Sequence, residues 1–233
     1  MAPGSVITQG TGTETMAVGT EGVGIYGEGT GGTITANMSN ITVGTGNAIG
    51  VYAKGMNSVV TGNMRIGANT SVGIASEGNG NVTYTGAITI DDKGTGIGDT
   101  ASVGIYKVDG TGTITTSVGN WTVGNSGYGI YVQQAIVTVD AAGKEISTTM
   151  TSNSATINNS ADMILGTSSV GIFSNGANTV NNSGNITVGE TYVEGGPSNH
   201  SDPTKHLNSV GIYGAGGTKI FNAAGATIKV HED

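Results

Sequence analysis

The sequence predicts an all-β protein: a right-handed parallel β-helix of about eight coils with one or two loop insertions. Three observations predict it. The chain holds 43 glycines in 233 residues with only 10% charged and 5% aromatic side chains. A tetrapeptide close to Val-Gly-Ile-Tyr recurs seven times, and a second apolar-polar-apolar motif runs between its copies. Gly, Thr, Asn, Ser, Val and Ile dominate while helix formers are scarce, a composition that favours short strands joined by tight turns. Apolar residues make up 36% of the chain and recur regularly, which argues against disorder. Three prolines and the lack of a Gly-X-Y period exclude collagen.

The first motif reads Val23-Gly24-Ile25-Tyr26, Ile49-Gly50-Val51-Tyr52, Val72-Gly73-Ile74-Ala75, Val103-Gly104-Ile105-Tyr106, Tyr128-Gly129-Ile130-Tyr131, Val170-Gly171-Ile172-Phe173 and Val210-Gly211-Ile212-Tyr213. The second runs through Ile41-Thr42-Val43, Met64-Arg65-Ile66, Ile88-Thr89-Ile90, Trp121-Thr122-Val123, Met163-Ile164-Leu165, Ile186-Thr187-Val188 and Ile228-Lys229-Val230. Most repeats carry a third strand such as Thr33-Ile34-Thr35 or Thr113-Ile114-Thr115. Alternation with period two places the Ile and Val of each strand on one face and the Thr, Lys or Gly between them on the other. Short strands with one apolar face bury it only if the chain winds around those faces, and stacked windings form a solenoid. About eight coils at a strand spacing of roughly 4.8 Å give a rod about 40 Å long.

Gly and Asn supply the bends, which need residues that tolerate positive φ. Asn158-Asn159, Asn181-Asn182 and Asn222 are placed to stack as amide ladders. Successive motif glycines lie 26, 23, 31, 25, 42 and 40 residues apart, so the last two intervals hold additional chain. Residues 132–165 read as an irregular or extra coil, with Ile136-Val137-Thr138-Val139 and Ala155-Thr156-Ile157 as its strands. Residues 190–209, "ETYVEGGPSNHSDPTKHLNS", are polar and nonperiodic and read as a protruding insertion. Residues 1–5 read as an added leader ahead of repeats spanning 6–233. The pattern already runs at Met16-Ala17-Val18-Gly19 and persists to Val230, the expectation being a fragment of a longer array.

Net charge is −8, which opposes binding to phosphate backbones, so nucleic acid is not expected as a partner. The absence of cysteine removes disulfides, thiolate catalysis and cysteine zinc sites together. No apolar run reaches the length of a membrane helix, and this stretch is expected to be monomeric and not to span a membrane. Two surfaces are candidates for binding. The insertion offers Tyr192, Glu194, His200, Asp202, Lys205 and His206 for stacking, charge and hydrogen bonding, because solenoid insertions vary freely on a fixed scaffold. A metal reading of His200, Asp202 and His206 fits no compact ligand spacing, and no metal or other cofactor is expected. The fourth motif position, outward or at a corner if the Ile before it points inward, forms a column of Tyr26, Tyr52, Tyr106, Tyr131, Phe173 and Tyr213, interrupted by Ala75. That column serves either to stack ring on ring or to receive sugar rings. Glycan-cleaving β-helices need grouped carboxylates, whereas here the adjacent acids are Asp91-Asp92 beside Lys93 and the single arginine is Arg65. No catalytic residues are assigned, and an enzyme is not expected.

The combination of "SVGIYG" with "NITVG" and "NSGNITVG" resembles the passenger repeats of large fusobacterial autotransporter adhesins, a branch of type V secretion. The resemblance covers nearly the whole chain. It implies a cleaved signal, a long extracellular β-helical passenger and a C-terminal translocator β-barrel in the outer membrane. It also implies attachment to host cells or other bacteria through glycan or protein receptors, hence a virulence role at the cell surface. The leading expectation is a noncatalytic adhesin segment that contacts a receptor or spaces one. A glycan-processing β-helix and a purely structural solenoid are the alternatives, and an ice-binding Thr array is disfavoured by the variable coil lengths.

Overall fold

A computed structural model describes residues 4–93, 100–139, 145–188 and 209–230. The six candidate residues of the insertion, Tyr192, Glu194, His200, Asp202, Lys205 and His206, lie outside the described residues. The described residues form strands and turns with no helix. The first coil contains β1 (Val6–Gln9), β2 (Thr15–Val18) and β3 (Val23–Glu28); the second, β4 (Thr33–Val43) and β5 (Ile49–Lys54); the third, β6 (Asn57–Ile66) and β7 (Val72–Glu77). Next come β8 (Val82–Thr85), β9 (Ile88–Ile90) and β10 (Val103–Val108), then β11 (Thr113–Thr116), β12 (Asn120–Val123) and β13 (Tyr128–Gln133). A hairpin of β14 (Ala135–Val139) and β15 (Glu145–Met150) intervenes. The sixth coil follows with β16 (Thr156–Asn159), β17 (Asp162–Leu165) and β18 (Val170–Asn175). The remaining strands are β19 (Thr179–Asn182), β20 (Ile186–Val188), β21 (Val210–Ala215), β22 (Lys219–Asn222) and β23 (Ile228–Val230).

Apart from the hairpin, every strand pairs in parallel with its counterparts one coil away. The result is a parallel β-solenoid with three strand-bearing faces. The long strands β4 and β6 run through the corner between the first two faces, and a register shift between Asn37 and Asn40 marks the bend in β4. The second motif stacks in register as Ile41, Met64, Ile88, Trp121, Met163, Ile186 and Ile228. From Ile41 to Ile186 this column is buried in one apolar core with the first-face and third-face side chains. Tyr84 and Trp121 meet edge to face in that core at 5.7 Å, and the single Tyr84 O–H lies 2.8 Å from both the Gly62 and the Ala87 carbonyl oxygens, either of which can accept it.

The third face departs from simple alternation. In Val-Gly-Ile-Tyr the Ile points inward and the fourth residue outward, as expected, but the first residue does not share the Ile face. Val103 is half-buried and Gly104 and Ile105 are both buried, while the strand register passes over the glycine. A Cβ on Gly104 would sit 2.5 Å from the Gly129 carbonyl oxygen, and one on Gly50 would sit 2.5 Å from that of Gly73. Each coil therefore presses its backbone on the next at this glycine, and a side chain has no room there. The kink shifts the phase, which turns the first motif position outward.

Among its described residues, the stretch 132–165 carries its irregularity as a hairpin and not as an extra coil. β13 pairs directly with β18, and β14 pairs antiparallel with β15 as an excursion between two regular coils. Ala155-Thr156-Ile157 belongs to the next regular coil, with Thr156 and Ile157 in β16 stacked on β11. Gln134 and Thr151 close the throat of the hairpin: the Thr151 N–H donates to the Gln134 carbonyl at 2.9 Å. The amide ladder forms inside the rod. Thr116 Oγ1 donates to Asn159, Asn159 Nδ2 to Asn182, and Asn182 Nδ2 to Asn222, at 2.8, 2.8 and 2.7 Å. On the outside, Asn181 Nδ2 donates to Asn158 at 2.9 Å.

Candidate functional site

On the third face, parallel stacking carries a side chain at the fourth motif position to the same place in every coil. Tyr106 and Tyr131 stack at 5.5 Å, Tyr131 and Phe173 at 4.5 Å with planes 10° apart, and Phe173 and Tyr213 at 5.1 Å with planes 9° apart. Tyr128, at the first position of its own motif, packs edge-on against Tyr131 and Phe173 at 5.2 and 6.1 Å. Toward the N-terminus, Tyr26 and Tyr52 meet at 5.4 Å but tilted by 48°. Between Tyr52 and Tyr106 the register places Ala75, so no ring fills that level.

The missing ring leaves a cleft of about 470 Å³. Ile49, Val72 and Val103, the first motif positions, form one wall, and Tyr52, Ala75 and Tyr106 form the other. Tyr52 leans into the gap, its hydroxyl donating to Glu77 of the next coil at 2.6 Å. Tyr26 and Tyr131 instead hydrogen-bond within their own strands, to Glu28 and Gln133. Burial and the Glu77 hydrogen bond together push the Tyr52 phenol well above its usual range. Burial also raises the phenol of Tyr106, with a smaller contribution from the Glu77 charge. Beside the rings, Glu28, Lys54 and Glu77 stand in register on β3, β5 and β7. Lys54 Nζ pairs with Glu28 at 3.3 Å, and Glu77 has no ion pair among the described residues.

Directly behind the cleft lies Lys107, a residue that the repeat pattern did not single out. It is fully buried, and its ammonium donates to the carbonyls of Gly78, at 2.5 Å, and Gly80, at 3.1 Å. Burial pushes its pKa down to about 8, against a small opposing pull from Asp109. The signal was present: the fifth motif position holds Gly27, Ala53, Ser76, Val132, Ser174 and Gly214 elsewhere. An inward Ile followed by an outward Tyr makes that position inward. A lysine there must find carbonyl partners.

Four of the described acids, Glu14, Asp91, Asp92 and Asp109, are engaged in structural contacts. Asp91 accepts from Arg65 at 3.1 Å, and Asp92 accepts the Asn125 N–H at 2.7 Å. Backbone and side-chain donors of Thr11 hold Glu14 down to about 2. For Asp109, burial acts upward, but bonds from Asn153, the Gly110 backbone and Thr151 outweigh it and hold the carboxyl low. A general acid for glycoside cleavage needs a raised pKa, the opposite direction. Among the described residues, no group of three or more His, Asp or Glu is placed to hold a metal ion. These residues contain no helix long and apolar enough to cross a membrane.

Fold and site together define a parallel β-solenoid with a stacked aromatic column and an apolar cleft where that column is broken. Comparison with protein-family models, curated proteins and solved structures finds no match to this chain.

Proposed function

We propose that this chain is a segment of an extracellular adhesin passenger, noncatalytic, which presents binding surfaces toward glycan or protein receptors on host cells or other bacteria. In this reading it belongs to a type V secreted protein of the outer membrane, and the segment itself acts as a monomer. The observation that carries it is the division between inward and outward positions. Inward columns repeat Ile, Val and Met in register through successive coils, whereas the outward positions change from Tyr to Ala and from Glu to Lys while the parallel backbone pairing stays in register. Such a scaffold tolerates variation outside while keeping its core, which is what a presenting rod needs. Freedom from cysteine suits a chain that crosses an outer membrane before folding.

The spacer reading draws on a different observation: from Tyr106 to Tyr213 the aromatic rings are occupied by one another. One experiment separates the two. The purified protein is applied to a glycan array and to epithelial cells, beside a version in which residues 191–207 are replaced by a short Gly-Ser link. Binding that disappears with the insertion supports a receptor-contacting segment. Binding by neither version, with circular dichroism confirming β structure, overturns receptor contact and leaves the spacer.

A further inference from the structure

We propose that the break in the aromatic column at Ala75 is a binding slot for the guanidinium of an arginine on a basic partner segment. This rests on the reading of the rod as a binding segment. β5 and β10 stand two strand spacings apart, about 9.6 Å, with Ala75 at the level between them and Tyr52 leaning over that level to Glu77. With Tyr52 returned to the column, a flat group at the Ala75 level would lie about 4.8 Å from each ring. That matches the 4.5 and 5.1 Å separating Phe173 from the rings on either side of it, so the column itself shows how a flat group is held between two tyrosines.

Charge selects the kind of flat group. On the outer face Glu28, Lys54 and Glu77 leave one unbalanced negative charge, with Lys54 giving its ion pair to Glu28, while the ammonium of Lys107 behind the cleft is turned inward and held by the Gly78 and Gly80 carbonyls. Glu77 thus stands at the rim, bonded by the neutral Tyr52 hydroxyl and influencing both flanking tyrosines. A guanidinium is planar, stacks on aromatic faces, and offers forked N–H donors to a carboxylate. Its three-carbon stem suits the apolar walls that Val72 and Val103 form on one side and Ala75 on the other. A net charge of −8 draws basic partners to the whole rod. A sugar fits less well, because Asn47, Thr70 and Ser76 are few polar partners for a ring of hydroxyls in a cleft otherwise lined by valine, isoleucine, alanine and tyrosine. On entry the arginine takes over the Glu77 carboxylate and Tyr52 swings back toward the column.

The probe is the capped tripeptide acetyl-Gly-Arg-Gly-amide, titrated into the isotope-labelled protein and followed by NMR. A single side chain is expected to bind with a Kd on the order of 1 mM, with shifts centred on Ala75 and Val103. Replacing Arg by citrulline, or Glu77 by Gln, should weaken binding about tenfold. The Lys peptide should be weaker by about threefold. Ala75→Tyr fills the slot and should abolish binding, and Tyr106→Leu provides an independent loss if the first variant folds poorly. Equal affinity for the arginine and citrulline peptides overturns the proposal. So does an unaffected Glu77→Gln, tighter binding of the Phe peptide or of methyl β-galactoside, or no binding by the folded protein. Cell attachment by the same proteins is scored separately. Its complete absence tells against the adhesin reading while the peptide titration still decides the slot.

Discussion

The two halves of the aromatic column are built from the same motif and behave differently. From Tyr106 onward, four rings stack with planes 9–28° apart and an extra ring, Tyr128, braces them edge-on. Before that level, Tyr26 and Tyr52 are tilted by 48°, and Tyr52 reaches across a gap to the carboxylate of the next coil. A single alanine makes the difference. Where every level has a ring, the outward surface satisfies itself, and where one is missing the neighbouring side chains reorient and leave an opening. In a repeat protein, the useful position is the one that breaks the repeat.

Several variants break or sharpen that contrast. Gly104→Val, at the junction between the two halves, drives a side chain into the Gly129 carbonyl and should cost about 3 kcal/mol or more, read as a lowered urea midpoint. Phe173→Ala opens a second gap within the ordered half. It should cost about 2 kcal/mol and tilt Tyr131 and Tyr213, visible in near-ultraviolet circular dichroism.

Lys107, behind the gap, predicts an alkaline signature. Its folded pKa is depressed from 10.5 to about 8, so between these values the unfolded chain binds more protons and stability rises with pH. The gain from pH 8 to pH 10 should be about 2 kcal/mol and should vanish in Lys107→Met. Above pH 10 the tyrosines act oppositely. The phenols of Tyr52, Tyr84, Tyr106 and Tyr131 are raised in the fold, so the stability they contribute is present below pH 10 and is lost as pH climbs through their folded values. Melting temperature against pH should therefore peak near pH 10. The smallest effect belongs to Ala75→Tyr, which completes the column and should add about 1 kcal/mol while erasing the difference between the halves.

Much of the architecture was legible in the sequence because each coil repeats the same inward positions. The second motif mapped onto one face from Ile41 to Ile228 because apolar residues hold both inward positions of every copy. Only Ile164, apolar at the middle position, departs from the apolar-polar-apolar pattern, and it is exposed. The third face was legible from Ile25 onward but not at Val23, since a glycine that packs backbone on backbone breaks the phase and nothing in the composition marks which glycine does so. The stretch 132–165 offered strand-forming segments at a spacing that suits either a coil or a hairpin. Only pairing distinguishes them, and pairing is not local. The interruption at Ala75 was visible as a missing aromatic, but its consequences depended on how Tyr52 turns and on which acid Lys54 chooses. Lys107 escaped because a charged residue reads as exposed until the inward phase of its strand is known.

The throat at Gln134 and Thr151 has a further consequence. The chain leaves the rod and returns to it one hydrogen bond away, and β13 and β18 stack as if nothing lay between them. Whatever joins those two residues is a cassette: its length and sequence can change while the ends stay put, and closing a longer excursion costs only a logarithmic entropy increment. A peptide epitope or small domain exchanged for the hairpin would ride on the rod at a fixed height, which makes this seam a natural port for diversification and for engineering alike.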